Sequence, residues 1–243
     1  MRMDYDTASG PYARYRRVNP KLFERLAQLC RLDAQSRVLE VGSGSGNYIS
    51  AIAEVRGCQC YGLEPSEGML ANAKARGGAI SWTRGSAEIL PYTKGFFDLL
   101  FCVDVIHHVT GIESFIREAF RVLRSGGVLC IATDSEWTIR KRNPLSVYFP
   151  ETVEKELARY PSIELLQSAM RREGFSAVEQ EIVEMPYLLE NPDAYREKAF
   201  SCLHLISEEA HTRGMVALCE DLSRGPLHCI VRNALVYATK TEA

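Results

Sequence analysis

Residues 39–54 read LEVGSGSGNYISAIAE: an apolar run, a glycine-rich turn and an amphipathic run. A strand that passes through such a turn into a helix presents bare backbone at one point, which suits a ligand held close to the main chain. The spacing is informative. In Gly42-Ser43-Gly44-Ser45-Gly46-Asn47 the third glycine comes one position earlier than in the G-x-G-x-x-G turn of dinucleotide-binding sheets, and Asn47 stands where that pattern has glycine. A phosphate loop needs G-x-x-x-x-G-K-[ST], and the turn contains no lysine.

Working outward, short apolar runs alternate with helical patterns. Strands are expected at Arg37–Val41, Gln59–Glu64, Ile80–Thr83, Asp98–Val103 and Val128–Thr133. Helices are expected at Asn47–Arg56, Ser66–Arg76 and Ile112–Arg124, closed by Gly57, Gly77 and Gly126–Gly127 in turn. Upstream, Asn19 and Pro20 give a cap and a first helical position for an amphipathic helix over 20–31. VLEV, LLFCV and VLCIA are nearly continuous apolar runs, as in strands buried on both faces of a parallel sheet. Downstream, a helix over Ser162–Arg172 leads through Gly174 to a strand near Val178–Glu184, and a last strand is expected over Ile230–Thr239. Residues 136–160 and 188–224 mix aromatics with charges and break the alternation, so they read as insertions over the ligand edge.

The bulk composition sets limits. At 243 residues and 46% apolar the chain can bury one sizeable α/β core. A formal net charge of −2 gives no global pull toward nucleic acid or anionic membrane. No run reaches the ~20 apolar residues of a membrane-spanning helix. The first residues, MRMDYDTASG, lack the apolar core of a signal peptide, and eight cysteines are then expected as thiols in a cytoplasmic setting. Cys58-Gln-Cys60 has no second pair or nearby histidine to complete a zinc set, so no metal is assigned and both residues read as core filling.

Polar residues gather at the C-terminal ends of the strands, where open α/β sheets bind ligands. Glu40 precedes the glycine turn; Glu64 ends the second strand, where a carboxylate can accept from both ribose hydroxyls of an adenosine; Gly85-Ser86-Ala87-Glu88 follows the third; and Cys102-Val103-Asp104-Val105-Ile106-His107-His108 closes the fourth. VLEVGSGSG, LEPSEGML, GSAEILP, FDLLFCVDVIHHV and EAFRVLRSGGVLCI, in this order and spacing over residues 35–135, resemble the successive motifs of class I S-adenosylmethionine-dependent methyltransferases of the small-molecule, methyltransferase-11 type. The resemblance implies a Rossmann-like, doubly wound α/β fold. Its sheet would be mostly parallel and seven-stranded with an antiparallel last hairpin, helices on both faces and a helical lid from the insertions. The whole chain, 1–243, would then be one domain, with a cofactor-binding core at 35–135 and covering segments at 1–34, 136–160 and 188–224.

The resemblance also assigns roles. Gly42, Ser43 and Gly44 would approach the methionyl part of S-adenosyl-L-methionine with bare backbone, and Glu40 would face its amino group. Glu64 would hold the ribose, with Pro65, Ser66 and Met69 flanking the adenosine. Ser86, Ala87 and Glu88 would meet the adenine edge, and Cys102 and Val103 would supply backbone contacts to the amine and sulfonium. Carboxylates and carbonyls suit those positive charges better than a helix N-terminus does. His108 is the candidate catalytic residue, as general base, orienter or wall, with His107, Tyr12 and Tyr15 as further pocket residues. Trp137, Tyr148, Phe149, Tyr187 and Tyr195 either line a pocket or pack the insertions. Arg14, Arg16, Arg140 and Arg142 could meet an anionic substrate. The implied reaction is in-line displacement of a methyl group onto a small-molecule acceptor, with S-adenosyl-L-homocysteine as product. Two alternatives stand beside it: a nicotinamide-dependent oxidoreductase, against which the displaced glycine speaks, and a non-catalytic S-adenosylmethionine-binding protein. Nucleic acid is disfavoured as acceptor, because the fourth strand lacks the Asn/Asp-Pro-Pro-aromatic tip of adenine-amine methylases. The acceptor, the attacked atom and the oligomeric state are not readable from the sequence.

Overall fold

The structure is a computed structural model that describes Tyr15 and residues 17–241. Seven strands form one sheet: β1 (Arg37–Val41), β2 (Gln59–Glu64), β3 (Ile80–Arg84), β4 (Phe97–Val103), β5 (Leu123–Thr133), β6 (Phe175–Leu189) and β7 (Leu227–Lys240). Their order is β3-β2-β1-β4-β5-β7-β6. Strands β1 to β5 pair parallel, while β7 runs antiparallel to both β5 and β6. This is the expected doubly wound sheet with its reversed final hairpin.

Side-chain alternation explains why the central strands read as unbroken apolar runs. On β4, Leu100 and Cys102 belong to the apolar cluster on one face, with Phe115, Ile116 and Leu166; Leu99 and Phe101 belong to the other, with Leu22, Leu26, Ile49 and Ile52. Helices cover both faces: α1 (Pro20–Leu29) and α2 (Asn47–Arg56) on one, α4 (Ile112–Val122) and α8 (Ile163–Glu173) on the other, with α3 (Glu67–Ala75) following β2. Local signals start and stop them. The Asn19 side chain accepts from the Lys21 and Leu22 amides, Ser66 caps α3 through Met69, Ser162 caps α8 through Leu165, and Gly57 and Gly174 end α2 and α8 in left-handed conformations.

One helix end differs from expectation. The helix after the fourth strand stops at Val122 instead of running to Arg124, and β5 begins at Leu123, paired with Phe97. Gly126–Gly127 lies inside the strand. A Cβ on Gly127 would stand 2.9 Å from the Arg124 carbonyl and 3.1 Å from that of Phe97, so this glycine serves a close approach of backbones across a bulge rather than a helix terminus. β6 is also twice the expected length. Its outer part alternates exposed and half-buried residues, which diluted the apolar signal.

The two insertions rise from the C-terminal edge of the sheet. The first leaves β5 and forms α5 (Glu136–Arg140), α6 (Leu145–Tyr148) and α7 (Glu151–Leu157); the second leaves β6 and forms α9 (Asp193–Arg196), a 3-10 turn at Ser201–His204 and α10 (Glu208–Leu222). The β6–β7 hairpin continues from Ala234 out to Leu227, roughly 20 Å past the end of its pairing with β5. The insertions share a small core of their own: Leu145, Phe149, Tyr195, Cys202, Leu203 and Leu218. The Cys58 and Cys60 sulfurs lie 3.7 Å apart in the sheet's apolar packing. No described helix is long and apolar enough to cross a membrane. Among the described residues no three His, Cys, Asp or Glu side chains gather to hold a metal ion.

Candidate cofactor site and its neighbourhood

Each glycine of the turn answers a different constraint. The Gly42 amide donates to the Leu63 carbonyl at 2.7 Å, and a Cβ there would stand 2.5 Å from a methyl of Val105. Gly44 has φ +53°, its amide donates to Glu64 Oε2 at 2.8 Å, and no atom lies within 4 Å of the place its Cβ would take. Gly46 begins α2 at φ +79°, and its Cβ would stand 2.6 Å from the Trp82 ring. The early third glycine therefore makes room for an indole, while Gly44 is the one that leaves open space. Ser43 is buried, with its hydroxyl 3.1 Å from the place a Cβ on Gly62 would take.

The two strand-end carboxylates diverge. Glu64 is 7% exposed and spans the turn, accepting from Gly44 with one oxygen and from the Ser66 amide at 2.9 Å with the other. Glu40 is 3% exposed and points back under the turn, where Oε2 accepts from the Ile49 amide at 3.0 Å. Because Gly46 offers α2 no side-chain cap, Glu40 serves that helix end from the neighbouring strand. Burial pushes its carboxyl well above the ordinary range, the Ile49 bond opposes this, and the charge of Glu64 adds to it.

A cavity of about 370 Å³ opens in front of the turn. Its walls are Val41, Gly42, Leu63, Pro65, Ser86, Ala87, Glu88, Val105, His108, Val109 and Thr110. Six of the residues singled out in the sequence thus meet around one space: Gly42, Pro65, Ser86, Ala87, Glu88 and His108. Val105, Val109 and Thr110 were not anticipated; they come from the 3-10 turn at Ile106–His108 and its flanks. Glu88 accepts from the Thr110 amide at 3.1 Å and hydroxyl at 3.0 Å, tying the two sides of the cavity together. Burial raises the Glu88 carboxyl, but bonds from its own amide, Thr110 and Gly111 outweigh that and hold it below its usual value.

Other sequence candidates lie elsewhere. Met69 and Cys102 are 2% and 1% exposed and contribute nothing to the cavity wall; Val103 packs on the face covered by α1 and α2. Burial lifts the Cys102 thiol well above its ordinary range, consistent with a small apolar filler. Ser66 caps α3. Tyr15 donates to Glu197 of the second insertion at 2.8 Å, while Tyr12, Arg14 and Arg16 lie outside the described residues. Phe149 and Tyr195 are buried in the insertion core, Tyr148 donates to Asp221, Tyr187 lies 3.4 Å from the Tyr195 hydroxyl, and Trp137 is half exposed beneath Arg232. None of these five lines the cavity.

His107 and His108 part as adjacent residues must. His108 forms cavity wall, whereas His107 stacks on Tyr160 of the first insertion with ring centroids 4.1 Å apart. Beside them Asp104 takes φ +55° at the end of β4. Arg142 pairs with Asp134 and Glu156, and Arg140 pairs with Glu136 and Glu154, so both arginines are engaged within the chain.

The family described as Methyltransferase domain (Methyltransf_11) matches residues 39–131. The chain is 31% identical over 150 residues to "Probable S-adenosylmethionine-dependent methyltransferase" of Mycolicibacterium smegmatis, covering 61% of this chain and 55% of that protein. It therefore spans about half the length of that curated relative. Among solved structures, an Anabaena variabilis methyltransferase assigned to an antibiotic biosynthesis pathway superposes with TM-score 0.73 at 22% identity, over 91% of this chain and 98% of that one. Phosphoethanolamine N-methyltransferase 2 of Haemonchus contortus, solved with S-adenosyl-L-methionine, superposes with TM-score 0.64 at 19% identity, over 98% of this chain and 57% of that one.

Proposed function

We propose that this chain, whose residues 39–131 form a methyltransferase domain of the class I S-adenosylmethionine-dependent kind, transfers a methyl group to a small-molecule acceptor. The observation that carries this reading is the cavity beside Gly42, walled by Pro65, Ser86, Ala87, Glu88 and His108, with Gly44 and Glu64 outside its lining but joined to each other in the adjoining turn. At about 370 Å³ the cavity lies in the range of small-molecule sites. When bound, S-adenosyl-L-methionine supplies a methyl group already activated by its sulfonium, and in-line displacement leaves S-adenosyl-L-homocysteine.

The chain's own residues then have limited tasks. Gly42 and Gly44 let the ligand approach the backbone, while Glu64, held by the Gly44 and Ser66 amides, would accept from the ribose hydroxyls. Ser86, Ala87 and Glu88 border the adenine, and Val41, Leu63, Val105 and Val109 exclude water. Glu40 lies beneath the turn, where the ligand's ammonium would favour a carboxylate that burial otherwise disfavours. Positioning of the acceptor is the protein's main catalytic contribution, because the leaving group needs no further activation. His108 stands where it could orient the acceptor or take its proton. The single-domain division, with covering segments at 1–34, 136–160 and 188–224, and a cytoplasmic setting belong to the same reading.

The test follows labelled methyl from S-adenosylmethionine into a cell extract separated into small-molecule, RNA and protein fractions. Label in the small-molecule fraction is expected. Label confined to a macromolecular fraction overturns the acceptor class, and binding without transfer overturns the catalytic reading.

A further inference from the structure

One buried ion-pair system takes no part in the cofactor cavity. Asp134 lies just beyond the tip of β5 and is 6% exposed; Glu156 sits on α7 and is 2% exposed. Arg142, between them, donates to Asp134 with one nitrogen and to Glu156 Oε2 at 2.7 Å with another. The other oxygen of Glu156 accepts from Arg159, whose same nitrogen reaches the Ser201 hydroxyl of the second insertion at 3.0 Å. One continuous set of charge-assisted bonds thus joins the core sheet, the first insertion and the second.

The set ends next to chemistry. Tyr160 follows Arg159 directly, and both guanidinium groups lie 5.9 Å from its ring centroid. That ring stacks on His107, which lies 4.0 Å from His108 in the cavity wall. Three rings therefore run from the insertion to the place where an acceptor would meet the methyl group.

We infer that Arg142 is a positioning residue: it fixes both insertions over the acceptor side of the site through Asp134 and Glu156, and sets the place of the Tyr160–His107–His108 ring row. The acceptor in this statement rests on the methyltransferase reading. Buried ion pairs seldom stabilise more than apolar residues of the same shape, and a fixed register is their best-attested use. Here the insertions already possess an apolar core in Leu145, Phe149, Tyr195 and Leu218, so cohesion is supplied without the charges. Beside the Asn143–Ile230 bridge and the Arg232 bond to the Lys141 carbonyl, which tie the first insertion to β7, Arg142 adds a charged link to Asp134 just beyond the tip of β5. Lysine cannot take its place, because a single ammonium does not reproduce two divergent donors on a rigid plane.

The test uses Arg142→Lys in the full chain, with Asp134→Asn as a second, shape-conserving variant. Three quantities are measured: affinity for S-adenosylmethionine by equilibrium dialysis, transfer of labelled methyl into the small-molecule fraction, and amide hydrogen exchange. In both variants the affinity is expected to stay within about twofold while transfer falls about tenfold or more. Exchange is expected to quicken in 136–160 and 201–222 and to stay unchanged in β1, β2 and β4. Unchanged exchange in the insertions overturns the inference. So does an affinity that falls in step with transfer, or exchange that quickens throughout, since either marks a general loss of structure. If the unaltered protein transfers no label, the proposed reaction fails, and the exchange pattern alone still decides whether Arg142 holds the insertions.

Discussion

The two halves of the site are built from different materials. Around the cofactor cavity, the groups that shape the space are largely backbone: the Gly42 and Gly44 amides, the Leu63 carbonyl, and amides of Ser66, Thr110 and Gly111 bound to two carboxylates. Around the insertions they are side chains: Asp134, Arg142, Glu156, Arg159, Tyr160 and His107. Backbone geometry can be held only by particular residue types at particular spacings, so the first half leaves a motif. Side-chain networks can be assembled from many pairings, so the second leaves none. A constant ligand on one side and a variable one on the other is what such a division suits.

The largest effect that could break this contrast is expected at Gly44. Gly44→Val places a branched side chain in the one open direction of the turn and at a φ that valine avoids. Loss of measurable S-adenosylmethionine binding is the expected result, with the thermal transition retained. A valine variant that binds normally would show that the ligand does not approach the turn's backbone. Glu64→Ala comes next. Removing it leaves the Gly44 and Ser66 amides without their acceptor and deletes the proposed ribose acceptor, and hydrogen bonds to charged groups are each worth about 1.5–3 kcal/mol. Cofactor affinity, read by calorimetry, is expected to fall roughly 10- to 100-fold; unchanged affinity would reduce Glu64 to a brace for the turn.

His108 probes the boundary between the halves. His108→Ala is expected to lower methyl transfer by about tenfold or more while leaving cofactor affinity within a few-fold. A pH–rate profile that loses its lower limb in the variant would identify a proton acceptor, whereas a uniform drop would identify a wall or orienting group.

Legibility in the sequence follows the same division. Strands β1, β2 and β4 were readable because both their faces are buried, and α1, α2, α3 and α8 because Asn19, Ser66, Ser162, Gly57 and Gly174 mark their ends. Gly126–Gly127 misled, since a glycine pair serves a helix end or a strand bulge equally well and only the pairing of Leu123 with Phe97 decides. The length of β6 was hidden by its polar, half-exposed alternation. Within the site, Pro65, Ser86 and His108 were legible from their place after strand ends. The direction of a side chain was not: Glu40 and Glu64 lie near the ends of neighbouring strands, two register positions apart, yet one looks at a helix and the other at the turn. Arg142 was read as a possible substrate partner because nothing in the first insertion marks Glu156 as its mate.

Glu40 supplies the smallest effect and the finest test of the contrast. Its folded pKa is raised above the unfolded value, so the ionised form is disfavoured by folding and the unfolded state releases its proton first. Stability from this group is greatest below the ordinary value of 4.5 and declines as pH rises from there toward the raised folded value. Glu40→Gln lacks that decline, and its side-chain carbonyl can still accept from the Ile49 amide. The variant is therefore expected to gain on the unaltered protein as pH rises above 4.5, read by thermal denaturation across a pH series. Saturating S-adenosylmethionine should reverse the ranking if Glu40 also answers the ligand's amino group, because a nearby ammonium favours the carboxylate and glutamine cannot return that attraction. An advantage for glutamine that persists with ligand present would assign Glu40 wholly to the helix, and with it move one more cofactor contact from side chain to backbone.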